Sequence, residues 1–158
     1  MIGFGESIGL FYKNYVNFEG RATRAEYWWP TLMQAIIYTL LLIAFIAFVS
    51  MKNIESDDEF GTGALIILGI GALFYLVNLI PGIAVKVRRF HDLGQTGWLV
   101  LVFWAVNLIV PFVEFGRMIW FAFQGEQGSN QYGLDLDSYN ADILDDVGFW
   151  RSSSPILW

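Results

Sequence analysis

The chain has 158 residues, of which 56% are hydrophobic, 18% aromatic and only 15% charged, with a net charge of -6. A soluble domain usually carries about 25% charged residues, so the composition points to a membrane protein with room for one domain. The acidic balance lacks the basic footprint of a nucleic-acid binder, and the absence of Cys removes a disulfide framework, a thiolate metal site and a thiol nucleophile.

From the N-terminus, residues 6–18 read as an amphipathic helix. Ile8, Phe11, Tyr12, Tyr15 and Val16 recur at helical spacing, while Lys13, Asn14 and Asn17 take the other face. Such a helix suits the headgroup layer of a bilayer, and packing on a partner protein is the alternative. Thr23 and Glu26 then have the spacing of a capping box, which predicts a helix start near Arg24. Tyr27, Trp28 and Trp29 follow where an interfacial aromatic belt belongs. Pro30 is expected to bend the helix just inside the membrane.

Tyr27 to Met51 and Phe60 to Val85 contain no charged side chain. About 20 helical residues cross a hydrocarbon core about 30 Å thick, so spans are expected at about 25–50 and 63–86. Helix is the default because a backbone in lipid must satisfy its own hydrogen bonds. A first span this long reads as an uncleaved anchor rather than a signal peptide. The third apolar segment, 97–123, is interrupted by Pro111, Glu114, Gly116 and Arg117. It is either one kinked span or a hairpin re-entrant at Pro111. The single kinked span is preferred, and the side of the following tail stays open. Lys13, Arg21 and Arg24 precede the first span, and Lys86, Arg88 and Arg89 follow the second. The loop at 51–63 has Lys52 among Glu55, Asp57, Asp58 and Glu59. Basic flanks lie on the cytoplasmic side, so the N-terminus is expected in the cytoplasm and the acidic loop outside, in the periplasm of a Gram-negative cell.

Three stretches carry a family resemblance. Phe18 to Trp29 reads FEGRATRAEYWW, Val87 to Trp98 reads VRRFHDLGQTGW, and Gly125 to Gly133 reads GEQGSNQYG. In this order they resemble the motifs of domain of unknown function 805, the YhaH-like small bacterial inner-membrane proteins, over roughly residues 8 to 135. The resemblance implies a helical membrane domain (1–135) in a bacterial inner membrane, and it implies no activity, substrate or cofactor. The chain departs from the pattern at Pro30, in its acidic external loop, and in an acidic and aromatic extension over 136–158.

The expected class is therefore an all-α, polytopic helical membrane protein: an interfacial amphipathic helix plus three hydrophobic segments. Its candidate residues fall in two basic corners, Arg21, Arg24 and Glu26 in one, and Arg88, Arg89, His91 and Asp92 in the other. Arg–carboxylate pairs between them, such as Glu26 with Arg88 or Arg89, would hold the first two spans in register. Binding of an anionic lipid or substrate is the alternative. Gly94 suits a helix C-cap, and Gly69, Gly71 and Ala72 offer a smooth face for close helix contact. Glu114 and Arg117 are spaced to pair on one helix face. The amides Gln34, Asn78 and Asn107 either bond a neighbouring helix, at about 0.6 kcal/mol each, or line a ligand path. Asn130 and Tyr132 belong to the third motif, and Trp150 and Trp158 to an extension suited to docking. A single His cannot build a multi-histidine zinc site, and no metal, cofactor or catalytic constellation is expected. These features suggest a non-enzymatic accessory or scaffold subunit of a larger inner-membrane complex. The alternative is a small transporter or lipid-handling protein using the basic corner. The expected partners are the bilayer and other membrane subunits, with no nucleic acid.

Overall fold

The capping box sets the start of the first long helix. Thr23 N–H donates to Glu26 Oε1 at 3.2 Å, and Glu26 N–H donates to Thr23 Oγ1 at 3.3 Å. In this computed structural model, which describes residues 2–52, 60–110 and 112–134, the described residues form α1 (Phe4–Lys13), α2 (Arg24–Lys52), α3 (Phe60–Asp92), α4 (Leu99–Asn107) and α5 (Val113–Ala122). One isolated bridge, Asn130 with Gly133, is the only β pairing among them.

α2 has 29 residues and α3 has 33, which at about 1.5 Å per residue makes them about 43 and 50 Å long. Each exceeds the hydrocarbon core of a bilayer. α2 continues through Pro30 and α3 through Pro81. Leu40, Leu42, Ile43 and Ile46 on α2, and Leu65, Leu68, Leu73 and Leu76 on α3, are exposed. A core helix of a soluble protein would hide such side chains; here lipid tails are their solvent. The chain is a helical membrane protein. The two helices meet through small residues and rings. A Cβ on Gly63 would run into the Phe48 ring, and Gly71 faces Leu41. Gly69 has open space beside it, so the expected small-residue face is used only in part.

α3 ends in a Schellman motif. Gly94 takes φ +70, its N–H donates to His91 O at 3.1 Å, and Gln95 N–H donates to Phe90 O at 2.8 Å. The left-handed conformation selects glycine at that position.

α1 differs in its bounds from the expected interfacial helix over 6–18. It is shorter and earlier, and it packs on the long helices of its own chain. Phe4 meets Trp29 edge-to-face at 5.6 Å, and Phe11 is fully buried. Tyr12 donates to Asn78 Oδ1 at 2.9 Å, and Tyr15 donates to the Val77 carbonyl at 2.7 Å. The second bond has a backbone cause. Pro81 has no N–H to give the carbonyl four residues earlier, and the Tyr15 hydroxyl takes that place.

The third segment folds back, so the preferred single kinked span is not the observed path. Phe103 and Trp120 would lie about 25 Å apart along one helix, yet their rings are 6.1 Å apart. α4 has 9 residues and α5 has 10, about 15 Å or less each, too short to cross a bilayer singly. The two form a hairpin whose open end sits beside the end of α3. Phe90 packs on Phe103, Trp120 and Phe121 there. The buried core of Phe11, Ala22, Tyr27, Val85, Phe90 and Phe121 gathers at this same end. The expected kink at Pro111, the acids Glu55, Asp57, Asp58 and Glu59, and the extension over 136–158 lie outside the described residues.

Candidate functional site

The three motifs converge on Asp92. Arg21 Nε donates to Asp92 Oδ1 at 2.9 Å, and Arg89 NH1 donates to Asp92 Oδ2. Two buried guanidiniums on one carboxylate leave a positive excess, and backbone carbonyl dipoles offset it. Arg21 NH1 donates to Gly128 O at 2.7 Å and NH2 to Glu126 O at 2.5 Å. Arg89 donates to the carbonyls of Ala22, Phe121 and Phe123. Arg88 NH1 meets Glu26 Oε2 at 3.3 Å, the pair expected between the first two spans. Arg24 is exposed, with no hydrogen bond or ion pair among the described residues.

The third motif closes over this corner. Gly125 lies so near the Asp92 carboxylate that a Cβ would occupy its place. Glu126 N–H donates to Asp92 O at 2.8 Å, and Asn130 Nδ2 donates to His91 O at 3.0 Å. The His91 ring stacks on Tyr132 at 3.9 Å, the planes 1° apart. Its Nδ1 lies 3.1 Å from Gly20 O, so Nδ1 carries the hydrogen. The corner thus uses its charges internally. Arg21, Arg88 and Arg89 are buried rather than presented as a basic surface, although Arg88 Nε has no hydrogen-bond partner.

Above the corner, between α2, α3, α4 and α5, lies a cavity of about 430 Å³. Its polar wall holds Gln34, Asn78, Lys86, Asn107, Glu114 and Arg117. Arg117 Nε donates to Glu114 Oε2 at 3.0 Å, and NH2 donates to Oε1 of the same carboxylate. The guanidinium also lies 5.0 Å from the centre of the Phe121 ring. Arg117 is 3% exposed, yet its NH1 has no hydrogen-bond partner, nor has Asn107 Oδ1. Tyr75, Leu79, Leu101 and Trp104 line the cavity and are also exposed, so it opens at the apolar side of the molecule.

The three motifs therefore meet in space as one unit, and all three lie within the stretch that the comparisons with known proteins match. The model of the family described as protein of unknown function (DUF805) covers residues 15–134. The chain belongs to the DUF805 family. Inner membrane protein YhaI of Escherichia coli K12 is 32% identical over 129 residues, covering 78% of this chain and 88% of the relative. Inner membrane protein YhaH of the same strain is 36% identical over 124 residues, covering 78% and 89%. No solved structure matches.

The DUF805 match takes in the corner and all of the cavity lining except Phe11, and it stops before the extension that holds Trp150 and Trp158. Of the candidate residues, Arg21, Glu26, Arg88, Arg89, His91, Asp92, Asn130 and Tyr132 assemble at the corner, whereas Glu114 and Arg117 face the cavity. The three amides line one cavity, although Asn78 is already bonded to Tyr12. Lys86 is the residue that sequence reasoning passes over. It reads as one more basic flank, but it turns inward. Asn78, Gly82 and Lys86 recur every four residues on α3, a polar and small stripe that marks one face.

Proposed function

We propose that this DUF805 protein is a non-enzymatic bacterial inner-membrane protein that takes an amphiphile from the bilayer into the cavity between α2, α3, α4 and α5. The observation that carries this reading is the joining of a polar wall, buried at Asn78 and Arg117 and half-buried elsewhere, to an exposed apolar mouth. A volume of about 430 Å³ lies in the range of about 300–1,000 Å³ typical of small-ligand sites. A chain of lipid can enter through the mouth without leaving an apolar medium, and its head then meets the polar wall. The corner serves as the fixed end against which the α4–α5 hairpin closes. The inner-membrane location rests on the family relatives, and the orientation rests on the basic flanks, which put the N-terminus and the corner in the cytoplasm. The hairpin is then re-entrant from that side. The accessory-subunit role draws in part on the extension over 136–158, outside the described residues, so the cavity carries the proposal.

Gly82 supplies the test. It lines the cavity, and a Cβ there meets nothing within 4 Å. Gly82→Phe should fill the space without disturbing α3. The full chain, extracted from membranes in mild detergent, is expected to carry a retained amphiphile in native mass spectra, and Gly82→Phe is expected to lose it. Equal retention by both proteins would overturn the reading.

A further inference from the structure

Two cations and one carboxylate meet at the polar end of the cavity. Glu114 engages two nitrogens of Arg117, which neutralises that guanidinium but leaves NH1 free of partners inside the protein. Lys86 lines the same wall. With Lys86 protonated, the sum is one surplus positive charge within the bundle; burial favours the neutral amine, and an anion beside it keeps the charge. A surplus charge in a low-dielectric setting is unfavourable unless a counter-charge accompanies it. Among the described residues the other buried acids near this end, Glu26 and Asp92, are engaged by Arg88, Arg21 and Arg89 at the corner, and Glu126 is exposed.

Resting on the amphiphile reading above, we infer that the cavity selects an amphiphile whose head carries a single net negative charge, a phosphodiester or a carboxylate, seated between Lys86 and the free Arg117 NH1. One anion restores neutrality, and its oxygens accept from both donors. Asn107 Oδ1, buried without a partner on the same wall, accepts a hydrogen bond from a hydroxyl on the head. A zwitterionic head brings a second positive charge against Lys86 and Arg117 and is disfavoured. The exposed apolar side chains at the mouth, Leu101 and Trp104, favour a chain-bearing occupant over a free inorganic anion.

The test uses the full chain reconstituted into nanodiscs of three compositions: phosphatidylcholine alone, phosphatidylcholine with phosphatidylglycerol, and phosphatidylcholine with a long-chain fatty acid. Lipid retained after detergent exchange is read by native mass spectrometry. A preference of about tenfold for an anionic lipid over phosphatidylcholine is expected, the scale of one charge-assisted hydrogen bond. Whichever anionic arm shows it identifies the head. Lys86→Gln and Arg117→Gln should abolish the preference, and Lys86→Arg should keep it. Helicity and monodispersity of each variant separate loss of selection from loss of fold. Retention without anionic preference, or a preference unchanged in a folded Lys86→Gln protein, overturns this inference and leaves the amphiphile reading standing. Retention of no lipid in any arm, or displacement of lipid by inorganic phosphate at the same wall, overturns both.

Discussion

Asp92 sits between Arg21 and Arg89 with both oxygens engaged, so its removal strands two buried guanidiniums at once. Breaking one buried pair costs about 3–5 kcal/mol, and the full cost falls on the charges left behind. Asp92→Ala is therefore expected to lower the thermal midpoint in detergent sharply, with a milder loss for Asp92→Asn, which keeps one acceptor oxygen. Gly125→Ala should resemble Asp92→Ala, because its new methyl group competes for the place of the carboxylate. A wild-type midpoint for both alanine variants would contradict this account. Glu26 and Arg88 allow a cleaner measurement. Glutamine also serves at that position of a capping box, so Glu26→Gln isolates the ion pair from the cap. Glu26→Gln and Arg88→Gln should each destabilise, and the double variant by less than their sum. Strict additivity in the cycle would mean that the 3.3 Å contact carries no coupling.

The docking of α1 hinges on a defect in α3. Pro81 deprives the Val77 carbonyl of its helical donor, and Tyr15 supplies a substitute from another element. In lipid, no water can take over if that hydroxyl is removed. Tyr15→Phe is expected to lower the thermal midpoint, because the Val77 carbonyl then faces an apolar medium without a donor. Pro81→Ala restores the missing N–H, so in that background Tyr15→Phe should be nearly silent. An equal loss in both backgrounds, measured as the thermal midpoint, would sever the link between the proline and the tyrosine. The same case shows what the sequence can and cannot reveal. The spans α2 and α3, the Thr23–Glu26 cap and the Gly94 terminus are legible because each follows from local rules: absence of charge over a length, a three-residue spacing, a left-handed turn. The Glu26–Arg88 pair is legible because two basic corners on one side need few partners. The docking of α1 is not, since it depends on where a distant carbonyl lacks its donor. Nor is the return of α4–α5. Pro111 in the sequence predicts an interruption, but the direction the chain then takes is decided by Arg89 bonding the carbonyls of Phe121 and Phe123, contacts more than thirty residues apart in sequence. Lys86 was hidden for a related reason: a basic flank and an inward-facing cation look alike until the helix face is known.

At the scale of the whole molecule, the corner fixes the topology. α3 delivers Asp92 to the same end of the bundle where α2 begins, since Ala22 N–H donates to Arg88 O at 3.1 Å. The segment after α5 returns to that end too, because Glu126 N–H bonds Asp92 O and Gly125 abuts its carboxylate. Three chain segments, near residues 19, 95 and 127, therefore share one side of any membrane that α2 and α3 cross. The basic flanks predict that this side faces the cytoplasm. The natural sequence has no Cys, so single cysteines report without interference. Glu19→Cys, Gln95→Cys and Gln127→Cys are expected to resist a membrane-impermeant thiol reagent applied to intact cells and to react in inverted vesicles. Glu55→Cys, in the acidic loop, is expected to do the reverse. Labelling of Gln127→Cys from outside would mean that the third segment crosses the bilayer, which the contacts of Arg89 with the end of α5 forbid. It would also leave Arg21 without its carbonyl partners at Glu126 and Gly128. The sidedness of residue 127 thus tests the hairpin, the corner and the cavity roof together, because α4 and α5 can wall the cavity only if they enter and leave by the same face.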